Sequence, residues 1–236
     1  MVQALTLGAP YAQPASLRVF FKKRGRMQYI SHLDLMRTMT RVIIRARLPV
    51  AYSEGFNPIP RLSFAAPLSV GVESDYEILD VKITHAVDLD EVKDALNRNL
   101  CEELSVFDVA MAEAKVKDAA YAAYTLRIGT KGACDALSAR VEEALNKKPL
   151  SVVKKTKSGE KAVDLSPLVK TATSEMDGDE IKVTLELLCD NASFLNPDYL
   201  VTALKAETGI LSGDETKEYY QILRTGIYLP EGKLFR

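Results

Sequence analysis

The chain has 236 residues, of which 47% are hydrophobic and 27% are charged, and its formal net charge is −1. The composition is typical of a globular protein, and the length suits one large domain or two of about 100 residues each. No apolar stretch approaches the roughly 20 residues of a membrane-spanning helix, and three scattered cysteines form neither a zinc motif nor a disulfide framework. We therefore expect a cytoplasmic protein that neither crosses a membrane nor binds a metal, with residues 1–15 as a flexible tail.

The first half of the chain predicts strands and helices in the order β-α-β-β-α-β. Strand-forming residues and period-2 alternation indicate the strands, whereas N-caps and apolar residues at helical spacing indicate the helices. The predicted elements are the strand "SLRVFFKK", a helix from Ser31 to about Arg47, extended chain in "PVAYSEGFNPIPRLSF", the strand "YEILDVKI", a helix from Leu89 to about Leu100 and the strand "SVFDVAMA".

The second half predicts the same order of elements, which is that of the ferredoxin-like motif. We therefore expect an α+β fold of two tandem ferredoxin-like domains, each an antiparallel sheet with helices on one face, at residues 16–116 and 117–236. The elements are the strand "YAAYTLRI", the helix "CDALSARVEEALN", the strands "LSVVKKT" and "EIKVTLELL", the helix "NPDYLVTALKAETG" and the strand "YYQILRTGIYL".

Charge is distributed unevenly between the two predicted domains. The segment Leu17–Arg61 contains ten of the 31 Lys and Arg residues but only two of the 32 Asp and Glu residues, so it carries +8 and the rest of the chain −9. The first domain is therefore predicted to be basic and the second acidic. This asymmetry indicates a polyanionic partner, an acidic protein surface, or pairing between the two halves of the chain.

Three arginines are spaced one helical turn apart in the first predicted helix. Arg37, Arg41 and Arg45 fall within roughly 80° on a helical wheel, nearly opposite the apolar residues of the same helix. Guanidinium groups suit phosphate oxygens and can stack on bases, and a spacing of about 6 Å is close to that of phosphates along an extended single strand. The alternatives are a solvated helix face with local ion pairs, or arginines that contact the acidic half of the chain.

Neighbouring residues extend this predicted site. The run "FKKRGR" adds cations, and the loop "YSEGFNPIPR" combines aromatic and basic groups, as in proteins that bind single strands. Tyr29, Ser31, Asp34 and Gly55 are predicted to orient the site. The predicted RNA- or anion-binding residues are Lys22, Lys23, Arg24, Arg26, Arg37, Arg41, Arg45, Tyr52, Phe56, Asn57 and Arg61.

His32 is the candidate catalytic residue. It cannot form a chelate with Asp34, because residues two apart on a helix do not share a face, and Ser31, His32 and Asp34 cannot converge as a triad. The sequence favours a structural, hydrogen-bonded histidine. The alternative is a general acid or base that acts on RNA.

The motifs "YISHLDLMR", "AYSEGFNP" and "PLSVGVES" resemble those of the radical-SAM-linked proteins, a bacterial family of unknown function. Its members are encoded beside, or fused to, a radical SAM iron–sulfur protein. The resemblance implies an accessory or substrate-presenting role in modifying RNA or a translation component. This chain lacks CxxxCxxC, so the iron–sulfur cluster and S-adenosylmethionine are expected only in a partner. Ile59 stands where the family usually has a histidine, which argues against a two-histidine catalytic site.

Together these observations predict a non-catalytic module that binds RNA or tRNA, not DNA, and acts with a radical SAM enzyme. One alternative is a protein-interaction module that binds an acidic face of that enzyme. Another is a metal-independent ribonuclease that uses His32. The sequence leaves open whether a small molecule binds beneath the "EGFNP" loop.

Overall fold

The structure is a computed structural model that describes residues 5–156, 159–189, 195–213 and 216–236. Over these residues the protein has a mixed α+β fold with four α-helices and antiparallel strand pairs. No helix in these ranges is both long and apolar enough to cross a membrane. The chain divides into unit 1, Met1–Ala119 with Leu234–Arg236, and unit 2, Ala120–Lys233. The boundary after Ala119 lies three residues beyond the predicted one.

Unit 1 consists of a four-stranded antiparallel sheet and two helices. The sheet order is β4-β1-β3-β2, so strands that are consecutive in the chain are not always neighbours. The elements are β1 (Leu7–Lys23), α1 (His32–Arg45), β2 (Leu62–Phe64), β3 (Val72–Val87), α2 (Leu89–Asn97) and β4 (Leu104–Met111).

The core of unit 1 lies between one face of this sheet and both helices. Every second residue of a strand points to the same face, so Leu17 and Val19 of β1 reach the core together. On α1, the buried residues recur at helical spacing, which confirms the predicted apolar face. These residues are Leu35, Met39, Val42 and Ile43.

The opposite face of the sheet carries the buried ion pair of Arg18 and Asp80, which are cross-strand neighbours on β1 and β3. The Arg18 guanidinium also lies 4.3 Å from the centre of the Phe235 ring. Tyr76 donates a hydrogen bond through its hydroxyl to the Phe235 carbonyl oxygen at 3.2 Å. The last three residues of the chain are therefore part of unit 1, although the sequence assigned them to the second domain.

The N-terminal segment is more ordered than the sequence predicted. A flexible tail was expected over residues 1–15, but residues 7–15 form the start of β1 and pair with the end of β3. Thr6 also donates hydrogen bonds from its amide and hydroxyl to the Glu91 carboxylate, at 2.8 and 3.0 Å. The segment has two prolines and is exposed on both faces, so it lacks the alternation that identifies a strand. Residues 1–4 lie outside the described residues.

Unit 2 contains four antiparallel strands in the order β10-β5-β9-β8, and β6 and β7 form a separate hairpin. Its elements are β5 (Tyr121–Gly129), α3 (Asp135–Asn146), β6 (Ser151–Thr156), β7 (Gly159–Asp164), β8 (Val169–Asp177), β9 (Glu180–Leu188), α4 (Asp198–Thr208) and β10 (Tyr219–Tyr228).

One strand of unit 2 differs from the sequence prediction. The segment "LSVVKKT" is predicted to belong to the main sheet, but among the described residues β6 pairs with β7 alone, and β8 occupies the position beside β9. In β8, Ala172 is the only residue that is fully buried. An edge strand with so little apolar alternation gives a weak sequence signal, so it was read as turn-rich chain.

Two methionines on α1 provide a matched test of the core. Met39 is completely buried, whereas Met36 is 37% exposed. Met39→Ala should lower the free energy of unfolding by about 2–5 kcal/mol because it leaves a cavity in the core. Met36→Ala should change it far less. Urea unfolding followed by circular dichroism measures both, and equal losses in the two variants would contradict this packing.

Candidate nucleic-acid interface

The first turn of α1 is closed by reciprocal hydrogen bonds. The Ser31 hydroxyl accepts from the Asp34 amide at 3.1 Å and donates to Asp34 Oδ2 at 2.7 Å. Asp34 Oδ1 accepts from Arg37 Nη1 at 3.2 Å. The hydrogen bond from Ser31, followed by that from Arg37, lowers the pKa of the Asp34 carboxyl. The predicted orienting residues Ser31 and Asp34 thus contact each other, and Asp34 holds Arg37.

Arg37, Arg41 and Arg45 are exposed along the side of α1 that faces away from the core, and we call them the arginine face. Among the described residues, neither Arg41 nor Arg45 forms a side-chain hydrogen bond or an ion pair. Arg45 lies in the last helical turn, where the helix dipole favours a cation. Two of the three guanidinium groups are therefore available to a ligand.

A groove of about 390 Å³ runs beside the arginine face. One wall is α1 and the other is the segment Ile59–Leu62, which precedes and enters β2. Met36 and Ile59 are partly exposed there, so the groove combines apolar surface with guanidinium groups. Its lining residues are Met36, Arg37, Thr40, Arg41, Ile59, Pro60 and Leu62.

The loop that ends in this segment has a hydrogen-bonded neck. The Arg61 amide donates to the Ala51 carbonyl oxygen at 2.9 Å, and the Ser53 amide donates to the Ile59 carbonyl oxygen at 2.8 Å. The Ile59 amide in turn donates to the Ser53 hydroxyl at 3.1 Å. These bonds fix the two sides of the loop against each other, with Tyr52 bridged to Pro60 between them.

The tip of the loop, residues 54–58, is exposed throughout. Phe56 is fully exposed, which is unusual for a phenylalanine and makes its ring available for stacking. Gly55 has φ +122°, a conformation that other residues rarely adopt, so the glycine is required to form the tip. Tyr52 and Asn57 are also exposed.

The predicted cations of the "FKKRGR" run are either buried or paired with carboxylates. Lys23 is buried, and its ammonium group donates to the Gln28 carbonyl oxygen at 3.4 Å. Three more cations of the "FKKRGR" run are paired with carboxylates, which neutralise them locally. The ion pairs are Lys22–Asp75, Arg24–Asp75, Arg24–Glu73 and Arg26–Glu103.

Acidic residues that follow the basic segment in the chain therefore balance much of its charge. Unit 1 contains 16 Lys and Arg residues and 15 Asp and Glu residues. The expectation of a basic first domain is corrected by this count. The formal net charge of unit 1 is thus only +1, from 16 positive and 15 negative side chains.

Two further predicted residues lie apart from the groove. The half-buried ring of His32 packs edge-on against Phe64, with the ring centroids 5.2 Å apart. Arg61 lines a different cavity, on the other side of the segment Ile59–Leu62. Tyr29 is exposed just before α1. The described residues contain no cluster of His, Cys, Asp or Glu that could hold a metal ion.

The second cavity has a volume of about 750 Å³ and is not indicated by any motif in the sequence. It contains three lysines that were not predicted as site residues, Lys82, Lys115 and Lys117. The only local signal was a lysine within the largely apolar strand "YEILDVKI". The residues of this cavity come from four distant segments, so their proximity depends on strand pairing.

The first turn of α1 gives a test by titration. A carboxyl whose pKa is lowered in the folded state stabilises that state above its ordinary pKa, and this contribution is lost as the pH falls through the lowered value. Ser31→Ala should raise the pKa of Asp34 toward its ordinary value, because the largest cause of the shift is removed. Titration of the Asp34 carboxyl carbon by NMR measures this. Ser53→Ala is the control, and an unchanged Asp34 pKa in Ser31→Ala would contradict the geometry.

Three of the solved structures that match the chain are distant from it in sequence and in structure. A crystal structure of a Cbf5-Nop10-Gar1 complex matches with TM-score 0.47 and 8% identity, over 89% of this chain and 48% of that one. An archaeal box H/ACA sRNP Nop10-Cbf5 complex gives 0.44 and 9%, over 88% and 46%. An unknown protein from Galdieria sulphuraria gives 0.27 and 12%, over 90% and 99%. The chain spans about half the length of the first two, and none of these overlaps is close enough to transfer a fold or a function.

The family comparison is more informative. No curated protein matches the chain. A family model described as an uncharacterized protein conserved in bacteria (DUF2344) matches residues 16–197, which is more than half of the chain. The protein therefore belongs to the DUF2344 family of bacterial proteins.

Proposed function

We propose that the protein is a non-catalytic module that binds single-stranded RNA or tRNA through unit 1 and serves a radical SAM enzyme in the cytoplasm. The observation that carries the proposal is the arginine face: Arg41 and Arg45 are exposed and have no partner among the described residues. Arg37, by contrast, is paired with Asp34.

The spacing of these groups suits a nucleic-acid backbone. Residues four apart on a helix are separated by about 6 Å along its axis, which is close to the distance between phosphates in an extended strand. Arginine presents a planar fork of donors to phosphate oxygens. The groove beside the arginine face offers the apolar surface of Met36 and Ile59 to a sugar or base.

The exposed ring of Phe56 adds a second type of contact. Proteins that bind single strands combine cationic grooves with aromatic rings on which bases stack. The hydrogen-bonded neck between Ser53 and Ile59 limits the motion of the loop, so less entropy is lost when a base stacks on its tip. The cations of the arginine face and the ring of Phe56 are thus both exposed on unit 1.

The edge-on packing of His32 against Phe64 supports a structural role for that histidine rather than the ribonuclease alternative. Partnership with a radical SAM enzyme rests on the resemblance of the "YISHLDLMR" and "AYSEGFNP" motifs alone. We also infer that each unit is a ferredoxin-like domain. The sheet orders β4-β1-β3-β2 and β10-β5-β9-β8 support this inference, with the β6–β7 hairpin as an insertion in the second.

Removal of two arginines tests the proposal. Arg41→Ala/Arg45→Ala should weaken binding of a fluorescein-labelled single-stranded oligoribonucleotide, measured by anisotropy over a series of salt concentrations. Each phosphate neutralised on a single strand contributes about 0.7 to the slope of log affinity against log salt. Loss of both contacts should therefore reduce that slope by about 1.4.

A control with the same change in net charge is Arg98→Ala/Lys217→Ala, since both cations are exposed and lie outside α1. This variant should retain the wild-type slope. If the two double variants lose affinity equally, or if the wild type binds without dependence on salt, the proposal fails. If the wild type binds no RNA, co-purification with the radical SAM enzyme after nuclease treatment would favour the protein-interaction alternative.

Phe56 can be tested separately from the charges. Stacking of one base contributes about 1–3 kcal/mol, so Phe56→Leu should weaken RNA binding about tenfold while the salt slope stays unchanged. Phe56→Trp keeps an aromatic face and should retain affinity. If Phe56→Leu binds RNA as tightly as Phe56→Trp, the ring of Phe56 contributes apolar surface only and no stacking.

A further inference from the structure

A polar cavity of about 750 Å³ lies on the face of the unit 1 sheet opposite the helices. Its floor consists of two cross-strand rows. In the first row, Ser16 of β1 pairs with Lys82 of β3, and the Lys82 amide donates to the Arg61 carbonyl oxygen at 3.0 Å. In the second row, Asp80 lies between Arg18 and Ser63. Paired residues share a face of the sheet, so these side chains form one surface.

The wall of the cavity is the segment after β4, residues 112–117. The Ala112 amide donates to the Ser16 carbonyl oxygen at 3.0 Å, and Arg18 Nη2 donates to the Ala114 carbonyl oxygen at 2.7 Å. The Lys115 amide donates to Asp118 Oδ2 at 2.8 Å, which closes a short 3₁₀ turn. The wall is thus bonded to the floor at two points.

Positive charge dominates the cavity. Four cationic side chains line it, and none of them forms an ion pair with any residue that the structure describes. One of its two carboxylates, Asp80, is bound by Arg18 through two hydrogen bonds of 2.7 and 2.8 Å, so it does not neutralise the other cations. The second carboxylate is Glu113. The four cations are Arg61, Lys82, Lys115 and Lys117.

The cavity has the size of a small-molecule site, since such sites measure about 300–1,000 Å³. Cations that line one cavity and lack ion-pair partners among the described residues favour an anionic ligand, and the hydroxyls of Ser16, Ser53 and Ser63 can hydrogen-bond its oxygens. We propose that this cavity binds a phosphorylated small molecule of nucleotide size that carries more than one negative charge. The site is distinct from the arginine face, and the proposal does not depend on RNA binding.

Isothermal titration calorimetry on the full chain tests the site with pyrophosphate, ATP, adenosine and citrate as probes. Pyrophosphate and ATP should bind, adenosine should not, and citrate should bind more weakly than pyrophosphate. Lys82→Met should weaken pyrophosphate binding at least about tenfold, because a charged hydrogen bond from the floor is lost. Lys115→Ala/Lys117→Ala should also weaken pyrophosphate binding, because it removes the two cations of the cavity wall.

Lys217→Ala/Lys233→Ala, which changes two exposed lysines of unit 2, is the charge-matched control and should leave binding unchanged. Arg41→Ala/Arg45→Ala should also retain pyrophosphate affinity, whereas Lys82→Met should retain RNA affinity, so the two proposals fail separately. The proposal is overturned if neither phosphate compound binds, if citrate binds as tightly as pyrophosphate, or if Lys82→Met and the wall variant bind like the control. Circular dichroism verifies that each variant is folded.

Discussion

The buried ion pair of Arg18 and Asp80 connects more of unit 1 than any apolar contact described above. Arg18 bonds both carboxylate oxygens of Asp80, the Ala114 carbonyl oxygen and the Arg236 carbonyl oxygen. A single guanidinium thereby joins two strands, the segment after β4 and the end of the chain. Removal of one partner from such a pair leaves an uncompensated buried charge, which typically costs about 3–5 kcal/mol.

This pair also explains why a sequence-level count of charges is a poor guide to binding. The segment Leu17–Arg61 carries +8, yet Arg18 is buried and the cations near Arg24 are matched by carboxylates from later in the chain. What remains is a small set of exposed arginines on α1 and near β2. The unpaired positive charge of this segment is therefore confined to a few positions.

The parts of the structure that the sequence predicted are those that depend on local geometry. The position of Arg41 relative to Met39 on α1 follows from the helical repeat, and the Ser31 cap follows from residues within one turn. The N-terminal half of β1 and the edge strand β8 were missed because both lack apolar alternation. Their pairing is decided by the neighbouring strand, which supplies the hydrogen bonds. Strand formation there is a tertiary effect.

The polar cavity depends entirely on how the strands pair. Ser16 and Lys82 are adjacent only because β1 and β3 pair in one register, and a shift of one residue would turn Lys82 into the core. The pairing of Lys23 with Gln28 and of Arg26 with Glu103 likewise required the folded chain. Sequence patterns could therefore predict the arginine face. They could not predict that the cations of "FKKRGR" are buried or paired, nor that lysines from distant segments line the polar cavity.

The segment Ile59–Leu62 has a consequence of its own, because it separates the groove beside α1 from the polar cavity and lines both. The hydrogen bonds of the loop neck, between Ser53 and Ile59 and between Arg61 and Ala51, therefore hold in place one wall of both surfaces. A substitution that breaks the neck would disturb the groove and the cavity together, whereas a side-chain change on α1 or on the segment after β4 would reach only one of them.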